Sequence, residues 1–249
     1  MVTNLTSMAR KLLHRALGRN TPEADANRIR QQVAARFLHG EGIEVGALHS
    51  PLWIPSSARV RYVDRLSVAD LRLHYPELSN LPLVEVDIID DGEKLVTLAP
   101  ASQNFVIANH FLEHTQDPIG TMKRHVAVLK PGGVLYTAVP DKRWTFDMNR
   151  PETTLDHLIK DHDLGPAWSY EDHVREYAGL VDCLAGQALE DRVRFIKETA
   201  YSIHFHVWSA SSYRAFLEHL CGPAGLPLEI VHFQTNPGRA ETIAVMRRT

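Results

Sequence analysis

Acidic and amide side chains stand directly after short apolar runs in this chain, and histidines cluster close behind them. Glu44 ends one such run and is followed by Val45-Gly46-Ala47-Leu48-His49-Ser50-Pro51. A glycine after a buried strand lets the backbone turn tightly and approach a ligand closely. The acid beside it can hold a cation or a sugar hydroxyl. Asp64 follows 20 residues later. A carboxylate at that spacing can accept both hydroxyls of a ribose, or it can cap a helix. Asp87 can accept from a ligand amine while Ile88 packs beside it; Asp90 and Asp91 offer the same contact, or a solvated acidic loop. The Asn109 amide can orient a substrate or an amine, or cap the next helix.

Histidines supply the candidate bases. His110 and His114 are four apart and share a face if they lie on a first helical turn. A near-neutral imidazole suits removal of a proton from a hydroxyl, and a hydrogen bond that fixes the loop is the competing role. Asp141 joins them as a candidate base. His204 and His206 alternate with Phe205 and Val207, so an extended segment puts both imidazoles on one face. There they line a site or ligate a metal. Asp156, His157, Asp161, His162 and His173 are further donors of the kind Zn²⁺ or Mg²⁺ accepts. No compact motif such as H-E-x-x-H is present, and the sequence assigns no metal. Trp144, Trp168, Tyr170, Trp208 and Tyr213 form either an aromatic wall against a sugar or a ring, or a small core.

These residues need a scaffold, and the apolar pattern predicts one. Strands are expected at 42–45, 59–63, 83–86, 104–108 and 134–139, with helices at 66–75 and 119–129, the latter stopped by Lys130-Pro131-Gly132-Gly133. Apolar strands alternating with helices indicate βαβ units and a parallel sheet. Glu44, Asp64, Asp87, Asn109 and Asp141 then fall just past carboxyl ends, the edge where open parallel sheets bind ligands. From 142 to 203 the rhythm breaks into a His-, Asp-, Trp- and Tyr-rich stretch with helical patches at 154–160 and 170–184. It is too long for a plain connection and reads as an inserted cap. Ser209 caps a helix at 211–220. Strands at 228–233 and 241–246, joined by Asn236-Pro237-Gly238, form a hairpin, so the last strand is antiparallel to its neighbour. Near the N-terminus, Thr21 or Asp25 caps a helix running to Leu38, with Gly40 after it. Before that, 8–19 is a basic amphipathic helix, read as packed on its own domain rather than on an anionic membrane or a partner.

The 249 residues, 44% hydrophobic and 23% charged, suit one α/β domain with an insertion, or two small domains. A net charge of -3 argues against nucleic acid as a partner. Cys183 and Cys221 make no disulfide framework and fit a reducing, cytoplasmic compartment. No apolar run approaches the roughly 20 residues of a membrane span.

Taken together, the motifs resemble the class I S-adenosylmethionine-dependent methyltransferases, a Rossmann-like seven-stranded family. Gly42-Ile43-Glu44-Val45-Gly46 resembles its first motif, Val63-Asp64 its second-strand acidic position, and Val84-Glu85-Val86-Asp87-Ile88 the stretch that touches adenine. Phe105 to His114 resembles the fourth-strand motif, and Leu129 to Pro140 (LKPGGVLYTAVP) the turn and fifth strand. The first motif departs from the family in having few glycines, with Leu48-His49 in their place. The resemblance covers 40–141 and 204–248 and leaves the cap outside it.

What the resemblance implies is a Rossmann-like doubly wound sheet, mostly parallel with an antiparallel last strand. The core comprises 41–141 and 204–249, with N-terminal helices over 1–40 and the cap at 142–203. Glu44, Gly46, Ala47, Leu48, Asp64, Arg65, Asp87, Ile88 and Asn109 would hold S-adenosylmethionine. His114, His110, His206 or Asp141 would act on the acceptor. The expected acceptor is a hydroxyl or amine of a small or glycosidic molecule, and a homo-oligomer stays open. The rival readings are a non-catalytic partner protein that binds the same cofactor, and a nicotinamide-dependent oxidoreductase. Against the second, the first turn lacks G-x-G-x-x-G.

Overall fold

A computed structural model describes residues 22–249. The basic helix expected at 8–19 and the candidate cap Thr21 lie outside the described residues. The first helix, α1 (Pro22–Phe37), opens at Pro22, which places Asp25 inside the first turn and not at the cap. Its buried positions Ala26, Arg30, Val33, Ala34 and Phe37 recur at helical spacing. One of them is an arginine, and its partner lies across the sheet.

Seven strands follow in one sheet of order β3-β2-β1-β4-β5-β7-β6, with the short helix α2 (Val68–His74) between β2 and β3. They are β1 (Gly40–Val45), β2 (Ala58–Asp64), β3 (Ile88–Ile89), β4 (Gln103–Asn109), β5 (Leu129–Pro140), β6 (Leu228–Asn236) and β7 (Glu241–Arg248). The first five are parallel, and β7 runs antiparallel to both β5 and β6. Central strands buried on both faces need apolar side chains throughout; Phe105, Val106, Ile107 and Ala108 of β4 are all fully buried. On one face α1 packs with Leu52 against Phe105, Ile107, Tyr136 and Val245. On the other, α3 (Pro118–Val128) and α7 (Ala210–Cys221) bury Met122, Tyr213 and Phe216 against Val106, Leu135 and Ala244. Ser209 caps α7 and shares a capping box with Ser212, as the sequence leads one to expect for the cap.

Three elements differ from expectation. The third strand is not at 83–86 but at Ile88–Ile89. The Val84 N–H is bonded at 2.8 Å to the Leu48 carbonyl, so this stretch is extended but held by the β1–β2 connection. The ladder to β2 begins only when Ile88 reaches Val63. Asp87 therefore stands at the amino end of β3, and the carboxyl end carries Asp90. The turn Lys130 to Gly133 is taken up by β5 as an irregularity, the register to β4 jumping from Gln103–Leu129 to Phe105–Val134.

The third difference lies in 142–203. This stretch holds α4 (Leu155–Leu164), α5 (Tyr170–Leu180) and α6 (Gly186–Thr199), and the last has no counterpart in the sequence reading. α5 and α6 close a small core of Val174, Ala178, Val193, Ile196, Ile203 and Phe205, while α4 packs Leu155, Leu158 and Ile159 on the main core. Among the described residues, no helix is long and apolar enough to cross a membrane.

Candidate functional site

No helix follows β1. The chain turns at Gly46 (φ +65°), and a β-carbon added there would meet only Phe111, at 3.5 Å. The Ala47 carbonyl takes Ser50 N–H, and Leu48 adopts φ +50° while its carbonyl takes Val84 N–H. Glu44 is buried and accepts Leu52 N–H with both oxygens, at 3.0 and 3.1 Å. Burial pushes its pKa up to about 7, against the pull of Leu52, Arg30 and Asn109. The acid thus closes the irregular loop from beneath.

Asp64 is half-buried at the end of β2. Burial raises its pKa, moderated by hydrogen bonds from Leu66 and Arg65 N–H. Arg65 itself turns away, to His74 and the Tyr75 hydroxyl. Asp87 is exposed and accepts Tyr62 N–H at 2.8 Å, while Ile88 is half-buried in the ladder. The neighbouring Asp90 is buried and saturated by Val96 N–H, Thr97 N–H and Thr97 Oγ1. This loop is pressed under β1 at Gly92, where any β-carbon would lie 2.5 Å from Val45 and 2.7 Å from Phe111. His125, fully buried, donates to the Gly92 carbonyl at 2.8 Å and fixes the loop from α3.

Asn109 ends β4 half-buried, with its amide enclosed and no hydrogen bond of good geometry to either Nδ2 or Oδ1, Glu44 being a weak neighbour. An unsatisfied buried amide is costly and marks a place for a ligand. Next to it, His110 takes φ +48° and does not share a helical face with His114. Its Nε2 lies 2.9 Å from Glu241 Oε2 and its side chain is 39% exposed. Glu241 opens β7 opposite Pro140, where the antiparallel strand starts at the carboxyl edge of the parallel ones. It is fully buried, bound to Arg30 by a two-pronged ion pair and to Asn236 Nδ2. Burial alone would raise its pKa, but Arg30 and His110 bring it down to about 2. An ionised Glu241 accepts from Nε2–H and leaves the His110 Nδ1 lone pair free. That atom's nearest acidic neighbour is Glu113 Oε1, at 3.6 Å. Glu113 is fully buried, and burial, with Asp147 and Glu241 nearby, raises its pKa well above the usual range.

The other candidate bases are differently engaged. His114 Nδ1 donates to the Ile203 carbonyl at 2.9 Å, and burial, aided by His204, lowers its pKa to about 3. Asp141 is buried; burial opposes ionisation, but three hydrogen bonds from Arg143 hold its pKa below the usual value. His204 and His206 do not share a face, because the segment is irregular and not a strand. His204 Nδ1 meets Asp147 Oδ2 at 2.7 Å, and Arg150 joins Asp147, Glu176 and the carbonyls of His204 and Phe205. His206 turns instead toward His157, Asp161 and His173. The aromatic set divides likewise: Trp208 and Tyr213 are in the main core, Tyr170 packs on the small one, and Trp144 and Trp168 are exposed.

A family model described as a methyltransferase domain matches residues 10–220. The chain belongs to this methyltransferase family. Its cofactor is S-adenosylmethionine, and the enzyme class is that of the S-adenosylmethionine-dependent methyltransferases. The sheet order, with its antiparallel β7 between β5 and β6, is the one this methyltransferase fold requires. No curated protein matches the sequence. Among solved structures, a Rhodobacter sphaeroides protein provisionally described as a Zn-dependent alcohol dehydrogenase is similar with a TM-score of 0.52 and 13% identity, over 90% of this chain and 88% of that one. A SAM-dependent methyltransferase from Aquifex aeolicus is similar at TM-score 0.46 and 12% identity, over 90% of each chain. One from Methanosarcina mazei follows at 0.45 and 16%, over 84% of this chain and 92% of its own. These likenesses concern the fold alone.

The sequence reading passed over Glu241 and Arg30 as site residues. Glu241 had a usable signal, since an antiparallel strand begins at the edge where its parallel neighbours end. Arg30 was visible only as a charge on an apolar helical stripe.

Proposed function

We propose that this methyltransferase acts on a hydroxyl or amine of a small or glycosidic acceptor, with His110 as general base and Glu241 as the group that orients it. The observation that carries the reading is the His110 side chain: Nε2 is committed to an ionised carboxylate, while Nδ1 is free on a part-exposed ring. That is the arrangement of a base held in one tautomer by an acid behind it. His114, with its lone pair in a buried group, and Asp141, held ionised by Arg143, serve as supports of the loop and of the β5 end.

The edge residues fit the cofactor. Glu44 and Asn109 face each other where the unsatisfied amide can take an amine or carboxylate, Gly46 leaves room above the turn, and Asp64 can accept ribose hydroxyls. Asp91, half-buried beside Asp90 and held by Lys94 and Glu93 N–H, is an alternative to Asp87 as the adenine contact. When bound, S-adenosylmethionine supplies a methyl group activated by the sulfonium, which an acceptor lone pair displaces in line. The chain's part is to align the acceptor, exclude water and take its proton at His110 Nδ1. Trp144 and Phe146, exposed on the loop after β5, offer faces on which a sugar or aromatic ring can lie. The helical stretch 142–203 is on this reading the acceptor cap of a single domain, and two free cysteines suit the cytoplasm.

The test is turnover of His110→Ala on a panel of hydroxyl and amine acceptors. Activity should fall by roughly 10²-fold or more while S-adenosylhomocysteine binds as before. Undiminished turnover would remove His110 as the base.

A further inference from the structure

Four side chains from three separate elements converge beside the small core of the cap. His157 and Asp161 project from one face of α4, His173 comes from α5, and His206 lies on the segment returning to the main sheet. Each offers one ligand atom, and these atoms lie within 4.8 Å of one another. His157 Nε2 and His173 Nε2 are 3.0 Å apart, Asp161 Oδ2 is 3.2 Å from His157 Nε2, and His206 Nε2 is 3.8 Å from Asp161 Oδ2. Around an ion with bonds of about 2.0–2.1 Å, tetrahedral ligands stand about 3.3 Å apart. The four atoms bracket that spacing.

The group is enclosed. Asp161 and His206 have fully buried side chains, and no hydrogen bond of good geometry reaches Asp161 Oδ2 or either ring nitrogen of His206; the Trp168 side chain near Asp161 and the Gln116 backbone near His206 are weak further contacts. Unsatisfied buried polar atoms aimed at a common point are rare without a ligand there. Asp161 is itself oriented from behind, Oδ1 accepting from Ser169 Oγ at 2.6 Å. Such outer support is what metal-binding carboxylates and imidazoles receive.

The geometry points to a structural metal site that takes one Zn²⁺-type divalent ion on His157, Asp161, His173 and His206. Three imidazoles and one carboxylate suit a borderline transition ion, not Mg²⁺ or Ca²⁺, which demand oxygen ligands. Four protein ligands leave no open position, so the ion is a clamp and not a reactant. What it clamps is defined by the neighbours of His206: Phe205 N–H and His206 N–H both donate to the Glu113 carbonyl, at 2.7 and 3.2 Å. The ion would tie α4 and α5 to the segment that braces the loop after β4. This site stands independently of the acceptor proposed above.

The experiment is metal analysis of the untagged full-length chain, followed by chelation and reloading with Zn²⁺, Co²⁺ or Mg²⁺. Expected are about one zinc-type ion per chain, intense visible bands of tetrahedral Co²⁺, and a thermal midpoint lowered by roughly 5–10 °C on chelation and restored by Zn²⁺ but not Mg²⁺. His173→Ala should abolish the Co²⁺ bands; if it does not fold, Ser169→Ala should still weaken Zn²⁺ retention roughly tenfold or more. A chain carrying under about a tenth of an equivalent of transition metal, and taking up neither Zn²⁺ nor Co²⁺ on titration, overturns the proposal.

Discussion

On the β1–β3 half of the sheet edge, polar side chains are held by their own close neighbours in sequence. Leu52 N–H holds Glu44, Arg65 and Leu66 N–H hold Asp64, and Val96 and Thr97 hold Asp90. On the β4–β5–β7 half, Asp141 still has the nearby Arg143, but the histidine contacts are distant in sequence. Glu241 holds His110 across 131 positions, the Ile203 carbonyl holds His114 across 89, and His204 holds Asp147 across 57. The first half is a set of local turns that any chain entering this sheet would form. The second is assembled only when the cap and the last hairpin have docked.

The largest expected break falls on the distant half. Arg30→Ala would leave Glu241 buried with its main counter-charge gone, and such losses cost about 3–5 kcal/mol. Urea unfolding should show it, together with reduced turnover as His110 loses its fixed partner. A loss below about 1 kcal/mol would mean that Asn236 and His110 suffice to hold the carboxylate.

The pH dependence of stability separates Glu44 from Glu241 by sign. The Glu44 pKa is raised from 4.5 to about 7, so its contribution is complete below 4.5 and is lost as pH rises toward 7. The Glu241 pKa is lowered from 4.5 to about 2, so its contribution is complete above 4.5 and is lost as pH falls toward 2. Each amounts to up to about 3 kcal/mol. Glu44→Gln should flatten the decline between weakly acidic and neutral pH and leave the acid limb alone. Unfolding curves across that range that are identical for wild type and Glu44→Gln would show that Glu44 titrates normally.

The smallest effect belongs to the cofactor edge. Asp64→Ala should weaken S-adenosylhomocysteine binding by roughly 1–3 kcal/mol in calorimetry, with stability almost unchanged. Unaltered affinity would take Asp64 out of the ribose position and leave the β1–β3 half as scaffold.

Sequence reading reached much of this edge because strand-end chemistry is local. An apolar run of two-residue period names its own end, and Glu44, Asp64, Asn109 and Asp141 stand at such ends. Asp87 was misplaced because the alternation of 84–89 shows an extended chain but not which part of it is laddered to β2. The backbone of Leu48 decided that. His110 and His114, and likewise His204 and His206, were assigned to shared faces on the assumption of regular backbone. A left-handed residue at His110 and an irregular run before α7 separated both pairs.

The sequence by itself determined the alternating layers, the Ser209 cap of α7 and most of the polar residues at the parallel strand ends, because periodicity, capping and turn chemistry act over a few residues. Tertiary structure alone decided that Arg30, Glu241 and His110 form one connected chain of contacts, and that four cap residues share a point. Those meetings depend on the antiparallel entry of β7 and on helix docking, and no short-range spacing encodes where two buried groups so far apart will find each other.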